Sequence, residues 1–415
     1  MASAARPGNP LREFGYWTLL AGLGLPARLV PCRMIGLVLA ALSLAAWVYL
    51  LFARGWFWLG RERDDAAIVA PTTPPEVAIV VPARNEVDSI ATSVASLLRQ
   101  DYPASALVLV DDDSDDGTAD VARRAAAGLD AEQRLTTVRS EKLRPRWTGK
   151  LWAVKQGIAA AEAKLAPKYL MLTDADIVHA PDTLSWLVAH AEANGLVLAS
   201  LTARWRCENL AERVHIPAFI FFFQMLYPFA WVNRPDHPMA GAAGGCMLLR
   251  ADALRAAGGI DIIRDALIDD CALARELKKQ GPIWLGLTDR VRSIRPYANW
   301  GEIRRMVARS AYAQLDYSPL ILAGTVAGLA LTYLVPPFTA LFASGWAQIF
   351  GIMAWTLMAL AFQPTLRFYR LSPLWGVALP AISFLFMLYT LDSAYQYAAG
   401  KGGKWKGRVQ AKGPQ

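Results

Sequence analysis

Tyr169-Leu-Met-Leu-Thr-Asp-Ala-Asp176 is a short apolar run that stops at two carboxylates one residue apart. It has the length of a single buried strand. In an extended chain residues i and i+2 point to the same side, so Asp174 and Asp176 share one face at the strand's carboxyl end. Two such charges repel unless something positive lies between them. A divalent cation carrying phosphate is one candidate, and strand carboxyl ends are where α/β sheets hold ligands. The competing reading is a helix N-cap, because Asp-x-Asp ahead of Pro181 and an apolar-periodic segment also caps helices. The two acids alone leave both readings open.

Upstream the same grammar repeats. Residues 77–81 (VAIVV) are continuously apolar, as a strand covered on both faces should be, and run into PARNE at 82–86. Residues 106–110 (ALVLV) run into DDDSDDG at 111–117, and 135–138 make a third short run. Helical patterns separate them, over 89–99, through residue 126, and over 150–165. Downstream, 197–205 reads as another strand, 268–280 as an amphipathic helix opened by IDDCAL, and 302–315 as a basic helix. Strands alternating with helices predict a mostly parallel, Rossmann-like α/β sheet and exclude an all-helical protein.

Composition adds a membrane. Of the 415 residues, 54% are hydrophobic, and the mean hydropathy is +0.26, above the norm for a soluble chain. Residues 34–53 are uncharged and long enough to span a bilayer, and the RGWFWLGR that follows at 54–61 reads as an interfacial anchor on the cytoplasmic side. Residues 1–33 make no convincing span and read as an N-terminal extension. About three further spans are expected over 319–391: at 319–342, kinked at Pro336-Pro337, at 346–362 and at 374–391, before a basic tail at 392–415. The aromatic stretch 216–232, divided by Pro217 and Pro228, reads as an interfacial segment or the wall of a lipid groove. The net charge of +8 suits an anionic membrane surface or a phosphorylated substrate. Nucleic acid is not expected as a partner, because no basic stretch interleaves with aromatics. The four cysteines form no C-x-x-C pair and the four histidines no metal spacing.

Taken together, PARNE, VDDDSDDGT, WTGKLWAVKQG, LTDAD, GGCMLLR and IDDCAL, in this order, resemble the inverting family-two glycosyltransferases of GT-A fold over residues 75–315. The stretches WTGKLWA, TDADIVHAPD, FIFFFQMLYPFAWVN and ALIDDCALA are similar to the hopene-associated glycosyltransferases of bacterial hopanoid gene clusters. The resemblance implies a GT-A catalytic domain between an N-terminal transmembrane helix and a C-terminal membrane region. It implies a site in which Ala83, Arg84 and Glu86 meet the donor's base and ribose, with Asp112, beside Asp111, accepting from a uracil. Lys150 and Arg309 would face the diphosphate, Gly244 and Gly245 would let the backbone pass close to the sugar, and Asp174 and Asp176 would bind Mg²⁺ or Mn²⁺. Asp270, paired with Asp269, would be the general base on the acceptor.

The sequence departs from the family's Q/R-x-x-R-W, which is replaced by Met306-Val-Ala-Arg309-Ser310, so the tryptophan is missing and only the arginine is kept. The implied activity is inverting transfer of a sugar from a nucleotide-sugar, UDP-linked, to a lipid hydroxyl in hopanoid metabolism. The implied location is a bacterial inner membrane, with the catalytic domain facing the cytoplasm. Polyprenyl phosphate or diacylglycerol as acceptor, or a scaffold that retains the fold without catalysis, are the alternatives.

Overall fold

The computed structural model describes residues 29–69, 71–405 and 408–409. Most of the expected N-terminal extension and the end of the basic tail lie outside the described residues. A long apolar helix, α1 (Leu29–Phe52), leads into the sheet domain. There β1 (Val77–Ala83), α2 (Ile90–Leu98), β2 (Ser105–Asp111), α3 (Thr118–Ala127), β3 (Leu135–Arg139), α4 (Gly149–Glu162) and β4 (Tyr169–Thr173) follow in strict alternation. Next come β5 (Ile177–His179), α5 (Thr183–Asn194), β6 (Leu198–Arg204), α6 (Leu210–Leu226) and the short α7 (Phe229–Val232). The domain closes with β7 (Cys246–Arg250), α8 (Ala251–Ala257), α9 (Asp269–Leu277), β8 (Ile283–Ser293) and α10 (Trp300–Ser310).

The eight strands form one sheet in the order β3-β2-β1-β4-β7-β6-β8-β5. Alternate residues of β1 serve two cores: Ala78 and Val80 pack on the α4 side, while Val77, Ile79 and Val81 join α2 on the other. That two-sided burial is why the strand is apolar at every position. On the α4 side the fit is close, for a Cβ on Gly157 would lie 2.4 Å from a Val80 methyl.

The first four strands in space run parallel, whereas β7 is antiparallel to both β4 and β6. Two reversals restore the direction, so β6 and its parallel neighbour β8 end where β4 ends. One edge of the sheet therefore gathers the carboxyl ends of β1, β2, β4, β6 and β8 together with the start of β7. The sequence reading foresaw β1 to β4 and β6 but not β5, β7 or β8. The Asp-x-Asp is no helix cap, because Asp182 holds the N-cap position of α5.

Beyond α10 lie α11 (Pro319–Leu329), α12 (Val335–Phe342), α13 (Trp346–Ala361), α14 (Gln363–Phe368) and α15 (Leu379–Ala398). Among the described residues four helices are long and apolar enough to cross a membrane: Arg33–Phe52, Leu210–Val232, Pro319–Phe342 and Trp346–Phe368. The expected span at 374–391 differs. Pro373–Gly376 forms a 3-10 turn, and α15 starts only where Pro380 can occupy the first helical turn, the position at which a missing N–H costs nothing. In the aromatic stretch only Pro228 makes a break, at the start of α7, while α6 continues through Pro217.

Between α11 and α12 the chain makes a π-turn, Ala330–Leu334. Pro336 has no N–H to offer the Thr332 carbonyl, four residues back. The buried Trp47 of α1 supplies the missing donor: its Nε1–H bonds to Thr332 O at 2.8 Å, with the ring edge-on to Tyr333. Trp47→Phe keeps an aromatic ring at the site, removes this donor and leaves a small void. It is expected to destabilise the protein by about 1–3 kcal/mol, read as a lowered thermal unfolding midpoint in detergent; an unchanged midpoint would show that the carbonyl finds another partner.

A strap after α1 ties that apolar helix to the sheet. Leu287 N–H of β8 donates to Glu62 O at 2.8 Å, and the buried Asp64 accepts from Thr288 Oγ1 and pairs with Arg290 at 3.0 Å. Arg54 donates to Met225 O at 3.2 Å and lies over the Trp231 ring.

Candidate active site

The register of the sheet puts the predicted residues side by side. Ala83, at the end of β1, pairs with Asp111, at the end of β2, and Thr173 pairs with Cys246, which follows Gly244-Gly245. The loops leaving these positions carry Arg84, Glu86, Asp112 and Asp174. Because β7 is antiparallel, its leading glycines reach the same edge as those strand ends. Helix α4, capped by Thr148, begins there with Lys150 in its first turn.

Lys150 Nζ sits between two carboxylates, 2.9 Å from Asp174 Oδ1 and 3.1 Å from Asp269 Oδ2. Burial alone would lower the lysine's pKa; Asp174 and Asp269 outweigh it and hold the group firmly charged. Asp269 and Asp270 occupy the first turn of α9, where the positive end of the helix dipole favours acids. The Asp270 carboxylate accepts from Gly244 N–H at 2.9 Å and from its neighbour Cys271 N–H at 2.7 Å. Burial first, and Asp269 second, push its pKa up to about 6.

Asp176 lies deeper. Burial and the neighbouring Asp174 push its pKa up to about 6, with Arg295 pulling the other way from 3.6 Å. Arg295 follows β8 and is brought in by a backbone bond from Ile294 N–H to Asp176 O at 3.0 Å. It is the main residue that sequence reasoning missed. Only recognition of β8 as a strand ending at this edge could have found it.

A cavity of about 940 Å³ joins these groups. Arg84, Glu86, Lys150, Asp174, Asp176, Gly244, Gly245, Asp269, Asp270 and Arg309 all line it. Ala83, Asp111 and Asp112 do not. Arg84 donates to the Asp112 carbonyl and stands 3.9 Å from its carboxylate, while Asp111 accepts from Ser114 N–H at 3.1 Å. Gly244 does more than leave room, since its N–H holds Asp270 and an added Cβ would stand 3.4 Å from both Asp270 and Lys150. Arg305 and Arg309 share one face of α10 on the cavity wall, in none of the described ion pairs. The cavity then continues past Phe219, Phe222 and Phe223 of α6 to reach α11 and α15. It is thus acidic at the sheet and aromatic at the apolar helices.

A doubly covered α/β sheet with an acidic cleft at its carboxyl edge, and apolar helices closing that cleft, defines a GT-A glycosyltransferase architecture. The family model for glycosyl transferase family 2 matches residues 78–258, and that for glycosyl transferase family group 2 matches residues 169–392. The second match covers more than half of the chain, and the protein belongs to glycosyl transferase family group 2. No curated protein matches it in sequence. Among solved structures, the mannosyltransferase PcManGT from Pyrobaculum calidifontis, in complex with GDP-Man and Mn²⁺, aligns with a TM-score of 0.54 at 22% identity, over 88% of this chain and 98% of that one. S. aureus TarS 1-349 in complex with UDP-GlcNAc aligns at 0.38 and 12% identity, over 80% and 95% of the two chains. Glucosyl-3-phosphoglycerate synthase from Mycobacterium tuberculosis, with Mn²⁺ and UDP-glucose, aligns at 0.36 and 19% identity, over 58% and 79%. The likeness to PcManGT is one of fold.

Proposed function

We propose that this protein is a membrane-bound, inverting, metal-dependent glycosyltransferase that moves a sugar from a nucleotide-sugar, UDP-linked, to the hydroxyl of a lipid. Its catalytic domain faces the cytoplasm at a bacterial inner membrane. The observation that carries this reading is the single cavity with a carboxylate cluster at one end and aromatic side chains of membrane helices at the other. A water-soluble acceptor has no use for the second end. A hopanoid acceptor rests on the motifs shared with hopene-associated enzymes.

Arg84 and Glu86 line the donor end beside the Asp111-Asp112 turn, and Lys150 and Arg309 provide the positive charge that a diphosphate needs. The metal reading fits the donor set. Asp176 is a half-buried carboxylate beside a second one, only partly compensated by Arg295. Among the described residues no group of three or more His, Cys, Asp or Glu side chains is arranged to hold a metal ion, so the cation would be held by two acids and completed by substrate phosphate. Asp174 and Asp176 would hold Mg²⁺ or Mn²⁺, which supplies positive charge against which a diphosphate can leave.

Asp270 takes the proton from the acceptor hydroxyl as its oxygen bonds to the anomeric carbon. The bond from that carbon to the diphosphate oxygen breaks, the electron pair leaving with the diphosphate, and a single displacement inverts the centre. Gly244 N–H and Cys271 N–H keep the carboxylate aimed, and Lys150 holds Asp269 beside it. A base must be deprotonated to act, so transfer is expected to rise by about tenfold per pH unit from acid and to level off above pH of about 6. A pH profile of the transfer step, flat from pH 4 to 8, would rule out Asp270 in this role.

The test of the whole reading is release of nucleoside diphosphate by the purified protein with a panel of nucleotide-sugars and bacterial lipid extract, with products identified by mass. No release with any donor, or activity that survives Asp270→Asn and Asp176→Ala together, would overturn it.

A further inference from the structure

The wall of the cavity changes character at α11. No residue of α11 is buried, although Thr325 and Leu329 line the cavity from it. This helix is therefore a wall one helix thick, with the catalytic cavity on one side and open surface on the other. Its outward face is apolar: Leu320 is 85% exposed, and Gly324 and Gly328 have nothing within reach of an added Cβ. Across the cavity stand Phe222 and Met225 of α6 and Phe386 and Thr390 of α15.

The two ends of α11 are built differently from the helix itself. At its start Asp316 and Tyr317 are consecutive non-glycine residues with left-handed backbone, φ 49° and 55°, a sparsely populated state that persists only when its surroundings impose it. Here the Tyr317 ring stacks on Tyr397 at 4.4 Å. At its end comes the π-turn, pinned through Thr332 to Trp47 of α1. A thinly packed helix held at both ends can be displaced between them without unfolding the bundle. π-Turns recur at such functional places.

We propose that the part of the cavity enclosed by α6, α11 and α15 seats the hydrocarbon portion of the acceptor lipid, and that α11 is the wall displaced when the lipid enters from the bilayer. The proposal rests on the lipid-acceptor reading and adds where the chain lies and how it gets there. With the tail between Phe222, Thr325, Leu329 and Phe386, the polar head points along the cavity toward Asp270 and Gly244.

The test needs no sugar transfer. The full-length protein is placed in vesicles of phosphatidylcholine and phosphatidylglycerol containing a diazirine-bearing hexadecanol, irradiated, and its labelled peptides are mapped by mass spectrometry. Label is expected on the inward residues of α11 and α15. It should be lost when Thr325→Trp and Thr390→Trp fill the seat, and retained in Leu320→Trp on the outward face. Joining Thr325→Cys to Thr390→Cys with a cleavable bis-maleimide should also abolish the inward label, and cleavage should restore it. Unchanged thermal unfolding confirms that each variant is folded. Label confined to outward residues, or indifferent to the paired tryptophans or to the linker, overturns the proposal. A labelled seat in a protein that releases no nucleoside diphosphate would instead overturn the glycosyltransferase reading, and with it the lipid's role as acceptor, and leave a lipid seat behind α11.

Discussion

Asp270→Asn is expected to slow sugar transfer by about 10²- to 10⁴-fold, the usual contribution of a positioned base, while donor binding is retained. The amide has nearly the shape of the carboxylate and cannot take a proton at neutral pH. Its oxygen can still accept one of the two backbone bonds, from Gly244 or Cys271, that hold Asp270. Lys150 keeps both of its own partners, because those are Asp174 and Asp269. Single-turnover transfer at saturating donor isolates the effect from binding. A variant that keeps a tenth or more of the wild-type rate would remove Asp270 from the mechanism and leave Asp269 as the next acid to examine.

Asp176→Ala is expected to act on the donor instead. It removes one of the two carboxylates proposed to hold the metal and leaves Arg295 without its acidic partner at 3.6 Å. Loss of a ligand from so small a donor set should weaken metal-supported nucleotide-sugar binding by about 100-fold or more. Calorimetry with UDP-glucose or GDP-mannose, with Mn²⁺ and then with chelator, reads both the affinity and its dependence on the cation. For the wild type, chelation should weaken binding to a similar degree. If the variant binds as tightly as the wild type and remains equally sensitive to chelator, the cation sits elsewhere.

The parts of this protein legible in the sequence are those whose physics is local. A strand buried on both faces is apolar at every residue, so β1, β2 and β4 were visible, as were the acids that follow them. Lys150 was assigned to the site through the resemblance of WTGKLWAVKQG to family-two glycosyltransferases. Its second partner, Asp269, is far along the chain, and only the folded sheet brings the two together. The strand β8 was hidden for a similar reason. Its burial is irregular, broken by Asp289, Arg290 and Arg292 and by a register shift beside Arg204, so no clean period marks it. Arg295 was lost with it. The long apolar helices were legible from hydropathy where no charge intervened. They were read poorly where a proline decides the start of a helix, as at Pro380, or where a π-turn sits ahead of Pro336 and a tryptophan from another helix supplies the missing donor.

The strap from Glu62 to Asp64, stitched to β8, has a kinetic meaning. With α1 leading into the sheet at one end and α11 to α15 leaving it at the other, the sheet is tethered to apolar helices from both sides. For an acceptor that lives in the bilayer, its supply is then counted as mole fraction in a plane, whereas the nucleotide-sugar is counted as molarity in water. Adding inert lipid at constant total acceptor should slow transfer by surface dilution, and adding buffer should not. The same enzyme would obey two-dimensional kinetics toward one substrate and three-dimensional kinetics toward the other.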